Sequence, residues 1–553
     1  MRIPPLAAQL DPITVSVIQH RLTAIVEEMG EAMLRTSYSQ ILNSSRDFST
    51  ALCDDEGHLV AQAEHIPVHI GALPWAVRAV VETFDGRIEP GDVYLLNDPY
   101  HGGSHLPDVT AFVPVFVGDR VAFWSVNRAH HSDIGGSTHG AYNAKATEIW
   151  QEGLRIPPIR FYRRGEMRQD LLEIMMLNVR HPRDFRGDLA AMIGSVHIGE
   201  RRLGALMAEF GAETVEAAVG AILDASERQA RAVISGWKDG VYEGEALLDD
   251  DGHGAEDIAI RARVTKRGSD LEVDLTGSDP QVKGFINSSH ANMQSAVTMA
   301  LAFLLDPETP KNDGAFRPLT VKAKPGTVVW ANPGAPVTLC TSHCGQEIIE
   351  AVVKALAGAC PERAMAGWGR RFRIAIKGED PRTGKPFIWH MFHARPGAGA
   401  SSGGDGWNSA GEWHSAGGIK FGSVEVAEVR FPLYFRRHEF RPDSGGEGQY
   451  RGGTGGSLEL VLETETGSLA NTAGEGAKHG ACGILGGKDG ATHHYVLKSD
   501  GMPDRVLKTK EEGIAVHPGG EFHVESGGGG GWGDPGQRSK QDRERDRCLG
   551  MTS

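Results

Sequence analysis

The stretch Asn97-Asp98-Pro99-Tyr100-His101-Gly102-Gly103-Ser104-His105-Leu106-Pro107-Asp108 is answered further along by Arg128-Ala129-His130-His131-Ser132-Asp133. Between them two apolar, β-rich segments, Val109 to Val117 and Arg120 to Val126, meet at Gly118-Asp119, which reads as a two-residue hairpin turn. With that turn tight, Asp108 faces Ala129, one step from His130, and His105, Asp108 and His130 converge at the open end of the hairpin. Two imidazoles and a carboxylate delivered from strand ends into glycine-rich loops are the ligand set of an open metal site with three protein ligands and room for water or substrate. The competing reading makes the same three groups hydrogen-bonded loop anchors. Asp98, His101, His131 and Asp133 crowd these loops, either orienting the ligand imidazoles or as exposed loop polars. Arg46-Asp47 either faces the site from an earlier loop or forms an ion pair at a strand start.

Outward from the hairpin, Asp11-Pro12 starts a helix in which Val15, Ile18, Leu22, Ile25, Val26, Met29 and Met33 recur at helical spacing. Strands at Phe48 to Cys53 and His58 to Ala63, a helix at Leu73 to Phe84 and a strand at Asp92 to Asn97 lead into the motif. Helices are predicted after it at Glu148 to Glu152, Arg168 to Asn178, Phe185 to Phe210 and Glu213 to Trp237. From Asp239-Gly240 the period changes to two, with strands at Tyr242 to Asp249, Ile258 to Thr265 and Leu271 to Leu275. Helices at Asn287 to Leu305 and Gln346 to Ala357 flank a strand at Leu319 to Ala323. The expected fold class is mixed α/β (α+β), a large interwoven subunit. Its parts are an N-terminal α/β region with the candidate metal site (10–238), a middle α+β region (239–370), a Gly-rich β-dominated region (371–535) and a disordered tail (536–553) whose Gln537 to Arg547 is a charge run.

Composition excludes several classes. The formal charge of −15 opposes a nucleic-acid partner. No segment approaches the apolar span of about 20 residues that a membrane helix needs, and Met1-Arg2-Ile3-Pro4-Pro5 does not lead into a signal-peptide core, so a cytoplasmic location is expected. The cysteines at 53, 340, 344, 360, 482 and 548 are irregularly spaced and read as free, mostly buried thiols. Cys340, His343 and Cys344 lack a second Cys/His pair, which favours a buried loop leading into a helix. The glycine runs near Arg451 and Gly527 have no strand-glycine-helix context for a phosphate cradle and are read as turns in a β-rich domain.

Taken in order, these blocks resemble a known family, the hydantoinase B or oxoprolinase-type subunits, which includes N-methylhydantoinase B, acetone carboxylase alpha subunits and the C-terminal half of 5-oxoprolinase. The resemblance covers nearly the whole chain. It rests on Asp11-Pro12-Ile13, Arg46-Asp47-Phe48-Ser49, Gly91-Asp92 through Pro99, Gly102 through Asp108, Asp443 through Gly453, and Gly527 to Pro535. It implies a hetero-oligomer with a hydantoinase A-type subunit that binds ATP and Mg, since this chain has no Gly-x-x-x-x-Gly-Lys-[Ser/Thr] loop. It also implies a divalent metal (Mn, Zn or Fe) at His105, Asp108 and His130, with a family glutamate falling where this sequence has Ser44. The expected activity is ATP-dependent hydrolysis of a cyclic amide by metal-bound water. The alternatives are an alpha-type subunit of a ketone carboxylase and a non-catalytic scaffold for the partner.

Overall fold

The computed structural model describes residues 10–63, 65–420 and 422–553, so the reading of Met1 to Pro5 falls outside the described residues. Helix α1 (Pro12–Thr36) begins where Asp11 accepts a hydrogen bond from the Ile13 N–H, and it buries Ile18, Leu22, Ile25, Val26, Met29 and Met33. That stripe is the helical spacing of the sequence turned into a packing face. A short helix α2 (Gln40–Asn43) leads into β1 (Phe48–Asp54) and β2 (Leu59–Ala63). Helices α3 (Pro67–Ile70) and α4 (Leu73–Thr83) precede β3 (Val93–Leu96), β4 (Asp108–Val117), β5 (Arg120–His130), β6 (Ile159–Arg163) and β7 (Glu166–Met167). These strands form one antiparallel sheet in the order β2-β1-β5-β4-β3-β6-β7.

The sheet is covered on both faces, which is why β4 and β5 read as almost unbroken apolar runs. Helix α1 and the later α6 (Pro182–Phe210) pack Met29, Met192 and Val196 against Val113 and Phe123 on one side. Leu73, Ala76, Val77 and Val80 of α4 meet Tyr94, Phe112, Trp124 and Val126 on the other. Gly199 lets α6 approach closely, since a Cβ there would fall 2.2 Å from the Ser125 hydroxyl.

The hairpin differs from the expected register in one respect that matters for the site. Gly118, at φ +59°, heads the tight turn and Phe116 pairs with Val121 as expected. A bulge between Val115 and Phe116 then adds one residue to β5, so Asp108 pairs directly with His130 and Val109 takes the place opposite Ala129. A turn-based count cannot see a bulge.

Helices α5 (Gln169–Leu177), α6 (Pro182–Phe210) and α7 (Ala212–Ser235) follow. The segment expected to be a helix at Glu148 to Glu152 is a single 3-10 turn, Ile149–Gln151. The middle region has β8 (Gly240–Asp250), β9 (Glu256–Arg267), β10 (Asp270–Asp274), α8 (His290–Leu304), α9 (Asp313–Phe316), β11 (Leu319–Lys322) and α10 (Cys344–Leu356), with the sheet order β11-β10-β9-β8. One hydrophobic core runs from Ile18 through this region to Leu356 and beyond, so the boundary drawn at 238 separates no core. The last part carries β12 (Ile374–Asp380), β13 (Lys385–His390), α11 (Val424–Arg430), β14 (Leu433–Phe440), β15 (Gly456–Leu462), β16 (Ser468–Ala473), β17 (His494–Lys498), β18 (Arg505–Val506), β19 (Lys510–Val516), β20 (Glu521–Glu525) and α12 (Lys540–Cys548). Its two sheets run β13-β12-β16-β19 and β14-β15-β20-β17-β18. The fold is thus mixed helix and largely antiparallel sheet, with one parallel pair, β10 with β11, and among the described residues no helix is long and apolar enough to cross a membrane.

Two expectations are corrected here. The glycine runs are not turns: Gly527 to Gly531 have no left-handed φ and lie alongside other glycine segments, backbone against backbone. Gly529 N–H donates to Gly453 O (2.9 Å), Gly453 N–H to Ala398 O (2.8 Å), Gly446 N–H to Gly529 O (2.9 Å) and Gly530 N–H to Gly367 O (2.8 Å). Glycine is required because a Cβ at Gly397, Gly452 or Gly529 would fall 1.9 Å from a neighbouring carbonyl oxygen. The charged tail is not disordered either. It forms α12, capped by Ser539, and docks through Arg538, whose guanidinium bridges Asp405 (2.7 Å) and the buried Asp546 (2.7 Å). The charge run is complementary to a surface, and composition alone carries no information about that. Arg538→Ala is therefore expected to cost about 2 kcal/mol by leaving a buried carboxylate short of a partner, and to make the 540–548 segment protease-sensitive. Unfolding curves and limited proteolysis of the variant beside the unmodified protein check this.

Candidate functional site: a buried His-Asp-His cluster

The motif loop is built by its own polar residues. The Asn97 amide donates to Leu106 O (2.7 Å) and Leu154 O (2.9 Å) and accepts from the Ile156 N–H (2.7 Å), pinning both ends of the turn. Gly102 takes φ +95°, and a Cβ on Gly103 would strike Asn97 O at 2.4 Å. This pair lets the chain double back so that Ser104, His105 and Asp108 enter the protein.

There the three predicted residues meet. His105 Nε2 lies 3.2 Å from His130 Nδ1, His130 Nδ1 lies 3.1 Å from Asp108 Oδ1, and His105 Nδ1 lies 3.3 Å from Asp108 Oδ2. One potential ligand atom from each falls within 4.8 Å of the others, and among the described residues no other His, Cys, Asp and Glu set meets that condition. Asp108 is inaccessible to solvent, and Ser104 Oγ donates to its Oδ2 (2.7 Å). Burial would raise the Asp108 carboxyl, but His105, His69 and the His130 hydrogen bond outweigh it and hold it well below the usual carboxylate range. Burial pushes His105 down to about 3, so it is a neutral imidazole with a lone pair. His130 is raised instead, because Asp47 and Asp108 overcome the effect of burial.

The donor set fits a divalent cation: neutral nitrogen, an ionised carboxylate, and a fully buried His105 Nδ1 that makes no hydrogen bond in the protein. A cavity of about 20 Å³ adjoins it, lined by Asp47, His69, His105, His130, Tyr142, Arg371 and His414 among others. A larger apolar cavity, about 460 Å³ and lined by Trp75, Phe303 and Phe316, brings no such donors together.

The remaining predicted residues separate into two groups. Asp47 belongs to the site: its Oδ1 lies 3.6 Å from His69 Nε2, and its carbonyl accepts from the His130 N–H (3.0 Å). Arg46, in a left-handed conformation at φ +58°, turns the chain from α2 into β1 and aims Asp47 inward. Arg46 and Asp47 make no ion pair with each other. Ser44 does not reach the cluster; its hydroxyl donates to Asn43 Oδ1 (2.9 Å) and accepts from Arg430 (3.2 Å). Asp98 is taken up by His101 (3.0 Å) and Arg155 (2.8 Å), and Asp133 by Arg180 (3.0 Å). His131 is buried 4.4 Å from the Phe185 ring and pushed down to about 3 by desolvation. Cys340, His343 and Cys344 form the turn into α10, where both thiols are reduced and buried.

Sequence reading did not identify His69, Tyr142, Arg371 or His414. His69 Nε2 lies 3.4 Å from Asp108 Oδ2, and burial lowers its pKa against the pull of Asp108 and Asp47. These residues come from a short helix, a loop, the approach to β12 and a 3-10 turn, Trp413–Ser415, with no spacing in common. The one available signal was Arg370-Arg371-Phe372-Arg373, three cations running into a strand that is buried on both faces. Residues 10–238 therefore supply the triad, while the wall around it comes from all three regions of the chain.

Comparison with known proteins identifies the family and the fold. The chain is 35% identical over 537 residues to the caprolactamase subunit beta of Pseudomonas jessenii, covering 95% of this chain and 91% of that one. It is 30% identical over 557 residues to a 5-oxoprolinase of Pestalotiopsis fici, covering 98% of this chain and 43% of the longer relative. The crystal structure of the ATP-dependent caprolactamase from Pseudomonas jessenii superposes with a TM-score of 0.92 at 34% identity, over 99% of this chain and 95% of that one. The hydantoinase B/oxoprolinase family model matches residues 11–535, the motif loop, the hairpin and the glycine layer included, and the chain belongs to that family.

Proposed function

We propose that this chain is a subunit of an ATP-dependent hydrolase of cyclic amides, and that the cluster of His105, Asp108 and His130 is its hydrolytic centre. The observation that carries the reading is the buried convergence of two imidazoles and a carboxylate with one imidazole nitrogen left unsatisfied. The names of two relatives, a caprolactamase and a 5-oxoprolinase, favour lactams as the substrate class.

The three residues would hold a divalent ion, which when bound supplies a Lewis acid for an amide oxygen and lowers the pKa of water. Asp108 Oδ1 fixes the His130 imidazole by a hydrogen bond, Asp108 Oδ2 lies 3.3 Å from His105 Nδ1 without bonding it, and Ser104 fixes Asp108. His69 lies between the carboxylates of Asp47 (3.6 Å) and Asp108 (3.4 Å) and with Asp47 lines the cavity. The near-complete burial of the set limits bulk water, so among the groups lining the cavity that are not ligands, His69, Asp47 and His414 are placed to receive a proton released at the reacting centre. Activation of the amide by ATP is assigned to a hydantoinase A-type partner subunit.

The test is co-expression with such a partner, metal analysis of the purified complex, and a screen of substrate-stimulated ATP hydrolysis over lactams, hydantoins and ketones. Expected are one divalent ion per chain, lactam-stimulated turnover, and loss of both in His105→Ala. Bicarbonate-dependent turnover with ketones would assign carboxylation instead. Full turnover in His105→Ala with no metal present would leave the chain a scaffold.

A further inference from the structure

Arg371 is a buried cation without a counter-ion. It is 7% exposed, lines the cavity beside His105 and His130, and its Nε makes no hydrogen bond. Its contacts are with a neutral group: Nη2 donates to the Tyr142 hydroxyl (3.3 Å), and the guanidinium lies 5.8 Å from the centre of the Tyr142 ring. Among the described residues no carboxylate oxygen lies within 4.0 Å of it. The nearby carboxylate, Glu412, is occupied by Arg373, whose Nη1 is 2.7 Å from it, and Arg373 itself is stacked on Phe392. By contrast Arg370, on the other face of the same segment, is paired with both Glu347 (2.9 Å) and Glu350 (2.8 Å).

An unpaired buried guanidinium is costly unless a ligand completes it. Its planar donors suit an anion with two oxygens in one plane, and Tyr142 holds that plane in place. Tyr142 is in turn held by His390, whose Nδ1 is 3.2 Å from its hydroxyl. Ile41 lines both this cavity and a neighbouring one of about 410 Å³.

We infer that Arg371, positioned by Tyr142, is the anion-binding residue of the site, and that what is processed there carries a carboxylate or a phosphoryl group. The inference rests on the proposed location of the hydrolytic centre, but it is read without turnover. The experiment is calorimetric titration of the full chain, as purified with any partner, with inorganic phosphate, acetate and the neutral lactam 2-pyrrolidinone. It compares the unmodified protein with Arg371→Gln and Arg371→Lys, each checked by its unfolding midpoint.

At least one anion is expected to bind the unmodified protein and to bind Arg371→Gln at least tenfold more weakly, about 1.4 kcal/mol; binding of 2-pyrrolidinone should not change. Tighter phosphate identifies a phosphoryl ligand, and tighter acetate a carboxylate. Arg371→Lys keeps the charge but loses the planar fork, so a threefold or greater loss is expected there even if the glutamine variant does not fold. Anion affinities in the variants equal to those of the unmodified protein, or no binding of either anion, overturn the inference. Lactam hydrolysis would stand or fall separately, on metal content and activity.

Discussion

Asp108→Asn is expected to abolish the thermal stabilisation that a divalent cation confers on this protein. A ligand that binds only the folded state, supplied at a thousand times its dissociation constant, adds about 4 kcal/mol to stability. For the unmodified protein this should appear as a rise in melting temperature with added manganese or zinc. Asparagine has the volume of aspartate and can still accept from Ser104, but it removes the charge that draws His105, His69 and His130 together. Without metal the substitution should cost about 1–3 kcal/mol, the usual range for a damaged buried charged hydrogen-bond set. With metal the difference should widen by the full binding term, and lactam-stimulated turnover should fall by about a thousandfold or more, as when a principal electrostatic group is removed. A variant whose melting temperature climbs with metal as steeply as the parent's would remove Asp108 from the ligand set.

Gly529→Ala should prevent the last third of the chain from folding, at a cost above about 4 kcal/mol, through overpacking that no rotamer change can relieve. The added methyl group would fall 1.9 Å from Ala398 O and 2.2 Å from its carbonyl carbon. Both atoms are backbone, and both belong to a segment hydrogen-bonded to Gly453. The control is Gly501→Ala. That glycine has φ +73° with nothing within 4 Å, so its replacement carries only the left-handed strain of about 1–2 kcal/mol. Urea unfolding of the two variants decides the matter. Equal losses would mean that glycine at 529 serves conformation and not close approach.

The helices and the hairpin were legible because one-sided burial leaves a period and two-sided burial leaves an unbroken apolar run, and both signals survive in sequence. The convergence of His105, Asp108 and His130 was legible for the same reason, since a hairpin carries its own coordinate system. The bulge that brings Asp108 directly opposite His130 left no mark, because an inserted Ala122 in an apolar strand resembles any other residue. His69, Tyr142, Arg371 and His414 were hidden by distance along the chain. Ser44, the position that the resemblance matches to a family glutamate, turns toward Arg430 and does not line the cavity, whereas Asp47 does. Glycine's two uses, conformational freedom and absence of a side chain, give the same letter, so a close-packed glycine layer looks like turns in sequence. The charged tail was read as disordered because the carboxylates that receive Arg538 are far from it in sequence or lie within the run itself.

The glycine layer also sets a timetable. Its members are drawn from Gly367, Gly397, Gly453 and Gly529, and the segment before β12 is tied into it through Gly369, whose N–H donates to Gly397 O (2.9 Å). Gly397 N–H in turn donates to Gly527 O (3.1 Å). During synthesis the hairpin carrying Asp108 and His130 can close from local contacts as soon as it emerges, whereas pairings this far apart in sequence form slowly and late. Arg371 is therefore expected to settle beside the triad only after Gly527 to Gly531 are made, so that chains truncated before Gly527 should leave the segment around Arg371 open to protease while the hairpin resists it.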